Sequence, residues 1–143
     1  MVAVAKIQQL LGGASVTGPL QSDLDMVRLV RRGVPTDAVE HFLAASHLTF
    51  NSIEEHVLPK RTYKRRQGSE KRLEPIESDR LLRLVRLVAA AAETFGDPDK
   101  ALVWLRRENN RLDGQTPLSL ADTDLGARSV EALLGRIDHG LAA

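Results

Sequence analysis

The segment SDRLLRLVRLVAAAAETF, residues 78–95, is the longest helical pattern in the chain. Its apolar side chains recur at alternating spacings of four and three residues, which is the period of one helix face: Leu81, Val85, Val88, Ala92 and Phe95. A second face carries arginine at every third position from Arg80 to Arg86. The sequence therefore predicts a long helix that buries one side and ends at Gly96.

Helix start signals surround this segment on both sides. Ser22 precedes two acidic residues as an N-terminal cap, and Asp97-Pro98 combines a cap with a first-turn proline. Ser52 and Glu55 have the spacing of a capping box, which predicts a helix start at Ser52. The period-two alternation that is typical of strands is absent. We predict an all-α fold of about eight short helices.

The composition limits the kind of protein this chain can be. Hydrophobic residues make up 43% of it but aromatic residues only 3%, so the core is built from leucine, valine and alanine. The absence of cysteine excludes disulfides and thiolate metal sites. No apolar run approaches the roughly 20 residues of a membrane span, and the N-terminus lacks a signal-peptide pattern. We expect a soluble cytoplasmic protein, with a boundary at the connection LEPIE between residues 1–73 and 74–143.

The stretch VLPKRTYKRRQGSEKR, residues 57–72, is unusually basic. Residues 59–86 hold 10 of the 20 lysines and arginines but only 4 of the 19 acidic residues. Such a stretch is either a solvated face or a surface for a polyanion, and the segregation of charge favours nucleic acid. Composition alone does not separate DNA from RNA, although the shortage of stacking aromatics argues against a single-strand platform.

Pro59 predicts a short helix at the start of this basic stretch, because proline is tolerated at the first helical position. Short helices joined by tight turns precede it, so the arrangement is typical of a helix-turn-helix whose second helix enters the major groove. The DNA contacts that we predict are Lys60, Arg61, Thr62, Tyr63, Lys64, Arg65 and Arg66.

No catalytic or metal site stands out in the sequence. The four histidines lack the spacing of metal ligands, and no nucleophile falls in a pattern with a general base. We therefore predict no catalytic residue, no metal and no cofactor. The protein is expected to act by binding and not by turnover.

The segment ALVWLRRENNRLDGQTPLSLADTDLGARSVEALLGRIDHG, residues 101–140, resembles the toxin-binding domain of Xre/MbcA/ParS-type antitoxins. Upstream, LLGG, RRGVP, LPKRTYKRR and ESDRLLRLVRLV resemble the N-terminal region of the same antitoxins. The chain has Glu108-Asn109 where the family often has Pro-Asn. The motif positions that we expect to hold the domain together are Trp104, Leu105, Leu112, Gly114, Thr116, Pro117, Leu118, Gly126, Val130, Leu134, Ile137 and Gly140.

The resemblance implies a division of labour. Residues 1–73 would bind operator DNA through a helix-turn-helix, and residues 74–143 would bind a RES-domain toxin, an NAD-consuming enzyme encoded beside the antitoxin. The antitoxin would cover the toxin's active site, act as a homodimer within a larger complex and repress its own operon. The toxin contacts that we predict are Asn109, Arg128, Glu131, Arg136, Asp138, His139 and the tail after Gly140. The alternative is a stand-alone transcriptional regulator whose C-terminal half only dimerises.

Overall fold

The computed structural model describes residues 2–68 and 71–140, and in these residues it contains nine α-helices and no strand. The prediction of an all-α fold is confirmed, with one helix more than the expected eight. The helices are α1 Val4–Leu10, α2 Ala14–Thr17, α3 Asp23–Arg32, α4 Thr36–Ser46, α5 Phe50–Ile53, α6 Lys60–Arg66, α7 Pro75–Phe95, α8 Pro98–Arg106 and α9 Asp124–Asp138. Two 3₁₀ turns, Asn110–Leu112 and Leu118–Asp122, connect α8 to α9.

Helix α7 is the longest element, as the sequence predicts, but it begins three residues before Ser78. Pro75 occupies its first position, and Glu74 and Glu77 form a capping box in which the Glu74 amide donates to Glu77 Oε1 at 2.8 Å. Gly96 ends the helix in the left-handed conformation, with φ of 72°. This conformation favours glycine because other residues carry a Cβ.

Helix α7 is also the centre of the core. Helices α1, α3 and α4 pack against it from the N-terminal half, and α8 and α9 pack against it from the C-terminal half. Its buried side therefore extends beyond the predicted stripe and includes Leu82, Leu84 and Leu87. One apolar cluster joins side chains from both halves. The functional division between residues 1–73 and 74–143 remains a prediction, although both halves share this helix.

A buried polar contact fixes the turn between α3 and α4 onto the start of α7. Ser78 is fully buried, and its hydroxyl accepts a hydrogen bond from the Val34 amide at 2.8 Å. The Leu73 amide donates to the Val34 carbonyl at 2.8 Å. Gly33 adopts a φ of 91°, and a Cβ there would overlap the Leu73 carbonyl oxygen. The RRGVP segment thus requires glycine for both conformation and close approach.

Helix α9 is held against the second 3₁₀ turn by a similarly close approach. The Thr123 hydroxyl caps the helix by accepting from the Gly126 amide at 2.9 Å. A Cβ on Gly126 would overlap the carbonyl oxygen of Leu120. Helix α9 then buries Val130, Leu133 and Leu134 against the core.

Candidate functional site

Helix α6 is anchored to the core by its one tyrosine. Tyr63 is only 6% exposed, and its ring lies 4.9 Å from the ring of Phe50 in α5. Its hydroxyl donates to the Thr36 carbonyl at 3.5 Å. Burial raises the pKa of the Tyr63 phenol. The structure buries nearly all of this side chain, so the phosphate contact expected from the sequence stays a prediction.

Four of the predicted DNA contacts form one exposed basic surface on α6, which we call the α6 surface: Lys60, Arg61, Lys64 and Arg65. Within residues 2–68 and 71–140, none of the four has a carboxylate within ion-pairing distance. Thr62 is half-buried. Arg66 instead turns toward α7, where it forms ion pairs with Glu77 and, at 3.7 Å, with Glu74. The guanidinium of Arg66 is therefore engaged in ion pairs within the chain.

The helix that precedes α6 is a single turn. Helix α5 has four residues and begins after Thr49, so the predicted start at Ser52 is wrong. Just after α5, Glu54 Oε1 accepts from the Lys60 amide at 2.8 Å and so caps α6. The Glu54 contact and the contact between Phe50 and Tyr63 fix the geometry of the α5–α6 pair.

A groove of about 830 Å³ lies between α3, α7 and α9, and we call it the α9 groove. Its apolar lining includes Met26 and Val30 from α3, Leu82 from α7 and Leu134 from α9. Six acidic and four arginine side chains also line it. A groove with an apolar lining and a charged rim is the usual form of a site for a protein partner.

Ion pairs within the chain neutralise part of the charge around the α9 groove. Arg86 of α7 donates to both carboxylate oxygens of Glu131 in α9, at 3.3 and 3.1 Å. These bonds raise the pKa of the Arg86 guanidinium, which stays charged. Arg128 pairs with Asp124 at 2.9 Å along α9. The Arg86–Glu131 pair joins the central helix to the last helix.

The structure separates the predicted toxin contacts into two groups. Arg128, Glu131 and Asp138 line the α9 groove together. Arg136 is exposed on α9 outside the groove lining, and the His139 ring contacts the Gly135 carbonyl oxygen at 2.7 Å.

Asn109 lies away from these residues. It caps the first 3₁₀ turn, where its Oδ1 accepts from the Arg111 amide at 2.9 Å. The predicted contact by the tail after Gly140 lies outside the described residues.

The apolar members of the C-terminal motif pack in or against the core. Leu105, Pro117, Leu118, Val130 and Leu134 are buried, whereas Leu112 and Ile137 are partly buried against the same cluster. The Trp104 ring lies 5.5 Å from that of Phe95, which ties α8 to the end of α7. Thr116 Oγ1 accepts from the Ser119 amide at 3.3 Å. Gly114 and Gly140 adopt the positive φ of turn glycines, 78° and 76°.

Sequence reasoning missed the contribution of α3 to the groove. Asp23, Met26 and Val27 line it together with residues about 100 positions further along the chain. Val27 is 40% exposed, whereas the more exposed Leu24 of the same helix lies outside the groove lining. Single apolar residues on the surface of a helix are common, so the sequence carried no specific signal for this groove.

The described part of the chain contains no group of three histidine, aspartate or glutamate side chains placed to hold a metal ion. No helix in residues 2–68 and 71–140 combines the length and the apolar character needed to cross a bilayer.

An exposed basic helix and a groove with an apolar lining are surfaces of the kind that binding proteins present to their partners. Comparison with protein families agrees with this class. Residues 25–86 match the antitoxin Xre-like helix-turn-helix domain, and residues 90–140 match the antitoxin Xre/MbcA/ParS C-terminal toxin-binding domain.

Curated relatives extend the match over most of the chain. An antitoxin Xre from Yersinia enterocolitica is 33% identical over 118 residues, which is 81% of this chain and 80% of that protein. An antitoxin Xre from Photorhabdus laumondii is 40% identical over 84 residues, 58% of this chain and 57% of that protein. A Prs ADP-ribosylating antitoxin from Sphingobium is 26% identical over 135 residues, 85% of this chain and 83% of that protein.

The chain belongs to the Xre antitoxin family. The resemblance stated from the sequence is thereby confirmed. The two domains imply a toxin partner and DNA binding, and members of this family are regulatory proteins and not enzymes.

Proposed function

We propose that this antitoxin neutralises a RES-domain toxin encoded beside it and represses its own operon, either alone or with the toxin bound. The observation that carries the toxin half is the match of residues 90–140 to a toxin-binding domain whose last helix forms one wall of an open groove. The Sphingobium relative is called a Prs ADP-ribosylating antitoxin. Because ADP-ribosylation uses NAD as the donor, that name fits a partner that consumes NAD.

Charge supports the choice of partner. The C-terminal region, residues 87–143, carries 9 acidic and 6 basic residues, and the lining of the α9 groove is acidic in excess. A toxin that binds the anionic dinucleotide NAD needs a positively charged pocket. Opposite potentials on two surfaces favour their encounter and their register. The antitoxin would thus present carboxylates and apolar surface to the region around that pocket.

Co-expression with the neighbouring toxin gene tests this half of the proposal. Cells that express both proteins should keep their NAD and grow, and the two proteins should co-purify. Reversing the charge in Glu131→Lys and Asp138→Lys should weaken protection, because each change places a like charge against the positive pocket, and such a juxtaposition at a desolvated interface costs about 2 kcal/mol or more, roughly 30-fold in affinity. Lys100→Glu, an exposed reversal on α8, is the matched control and should protect fully.

Circular dichroism separates lost contact from lost fold in these variants. Removing residues 128–143 should abolish protection, but it also removes the buried Val130 and Leu134. The charge reversals keep that apolar side, so they are the decisive variants. Full protection by both reversals and by the deletion would contradict toxin binding at α9 and move the contact to the turn from Asn109 to Pro117.

The DNA half rests on the exposed α6 surface and on the helix-turn-helix match. A reporter driven by the chain's own promoter should be repressed when the antitoxin is expressed, and repression should weaken when the α6 surface is removed.

We further propose that the protein works in the cytoplasm as a homodimer within a larger complex with the toxin. Light scattering of the antitoxin alone and of the complex gives the two stoichiometries. Dimerisation without any toxin partner would favour the stand-alone regulator.

A further inference from the structure

Three exposed arginines lie at the end of α8 and just beyond it, far along the sequence from the α6 surface: Arg106, Arg107 and Arg111. We call them the α8 arginines. In the part of the chain that the structure describes, no carboxylate lies within ion-pairing distance of any of the three. The acidic neighbours are Glu108 and Asp113, which are also exposed. The segment from 106 to 111 therefore keeps an excess of positive charge.

Two of these arginines line a shallow cleft of about 390 Å³. Its other lining residues are Trp104, Glu108, Asn109 and Asn110. Guanidinium groups and side-chain amides are the donors that bind phosphate oxygens, and arginine does so with two parallel hydrogen bonds. The cleft therefore offers donors for a phosphate group, with one carboxylate, that of Glu108, in its lining.

Direct contacts fix the α8 arginines relative to the helix-turn-helix. Arg106 Nη2 donates to the Ser52 hydroxyl of α5 at 3.2 Å. Glu54, two residues further on, caps α6 through the Lys60 amide. Two residues of chain span at most about 7 Å, so α5 bridges the two basic groups over a short distance. His47 Nδ1 and Asp99 Oδ1, 2.7 Å apart, join the end of α4 to the start of α8.

We propose that the α8 arginines bind phosphates of the same DNA duplex that the α6 surface contacts. The DNA interface would then extend from the helix-turn-helix onto the toxin-binding domain. A DNA strand carries a phosphate about every 3.4 Å along the helix axis, so two basic groups that are held on either side of α5 would meet different phosphates of one duplex. Such contacts set register and add affinity but read no bases.

This inference rests on the proposed DNA binding, and its test uses the full chain with a labelled duplex from its own promoter. Affinity is measured by fluorescence anisotropy over a salt series. The Arg107→Ala/Arg111→Ala variant should flatten the slope of log affinity against log salt by about 1.8, roughly 0.9 for each lost phosphate contact. Arg107→Lys/Arg111→Lys keeps the charge and should keep the slope.

A matched control removes two charges elsewhere. Arg80→Ala/Lys100→Ala, which removes exposed cations on α7 and α8 that have no ion pair within the described residues, should leave the slope within experimental error of the wild type. Circular dichroism and protection against the toxin check that each variant is folded. A specific loss of slope in the Arg107/Arg111 variant, with folding and protection intact, supports the proposal.

Two results would overturn it. One is an unchanged slope in Arg107→Ala/Arg111→Ala while removal of the α6 surface still flattens it. The other is intact DNA binding together with lost protection, which would assign the cleft to an acidic patch on the toxin. A wild-type protein that does not bind the duplex at all would instead refute the proposed DNA function itself, and the extended interface with it.

Discussion

The α6 surface and the α9 groove carry similar residue types but use their charge differently. On α6, Lys60, Arg61, Lys64 and Arg65 have no ion-pair partner within the described residues. Around the α9 groove, Arg86 and Arg128 are already paired with carboxylates of the same chain. The α6 surface can therefore attract a polyanion over a distance. A partner that binds in the α9 groove must instead replace or extend the ion pairs that already exist there.

This difference has a thermodynamic consequence. Binding to α6 should release the counterions of phosphates and depend steeply on salt. Binding in the groove should depend more on apolar contact and shape, and so less on salt. Each of the following predictions tests one side of the contrast.

The largest effect should come from removing the α6 surface. Replacing Lys60, Arg61, Lys64 and Arg65 by alanine should lower DNA affinity roughly 1,000-fold at about 0.15 M salt, because four lost contacts flatten the salt slope by about 3.6. Anisotropy with the promoter duplex measures both quantities. Toxin binding should be unchanged. Equal affinity in wild type and variant would show that these cations form only a solvated face.

The second largest effect should come from a substitution that destabilises α9, which forms one wall of the α9 groove. Gly126→Ala forces a Cβ into the Leu120 carbonyl oxygen and should lower the free energy of unfolding by about 2–3 kcal/mol. Gly135→Ala in the same helix is the control, because a Cβ there meets nothing within 4 Å. It should raise stability by about 0.5–1 kcal/mol, since alanine favours the helix over glycine. Urea unfolding of both variants decides the matter, and equal stabilities would refute the close approach.

A smaller effect should come from the ion pair between α7 and α9. Glu131→Arg should lower stability by about 1–2 kcal/mol, because it removes a charge-assisted hydrogen bond from a partly exposed pair and adds a like charge. Adding Arg86→Glu restores a pair of reversed polarity and should recover most of that loss.

Protection against the toxin, measured in the double variant, then distinguishes two roles for Glu131. If the double variant recovers stability but not protection, the toxin contacts the Glu131 carboxylate directly. If it recovers both, Glu131 only positions α9. A single variant as stable as the wild type would contradict the contribution of the pair.

The smallest effect should come from Tyr63→Phe. This change removes one long hydrogen bond, 3.5 Å from the hydroxyl to the Thr36 carbonyl, and should cost about 0.5 kcal/mol in unfolding free energy. The ring stays in contact with Phe50, so DNA affinity and salt slope should not change. A flatter salt slope in this variant would show that the Tyr63 hydroxyl contacts DNA.

Much of the fold could be predicted from local sequence signals. The capped starts at Ser22 and Asp97 occur where a side-chain oxygen accepts from a nearby amide, and this depends on residues three positions apart. The helical period of α7 is local in the same way. The start predicted at Ser52 was wrong because Ser52 lies inside α5, where its hydroxyl accepts from Arg106, 54 residues further along the chain.

The sequence by itself determined the helices, the basic segment on α6 and the antitoxin motif from 101 to 140, because period, capping and charge density depend on neighbouring residues. Only the tertiary structure decided which side chains these elements expose. It buried Tyr63, turned Arg66 toward Glu77 and paired Arg86 with a glutamate 45 residues away. It also built the α9 groove by bringing α1 and α3 together with α7 and α9, which lie much further along the chain. The physical reason is that burial and ion pairing depend on which segments pack together, and helix periodicity does not encode that.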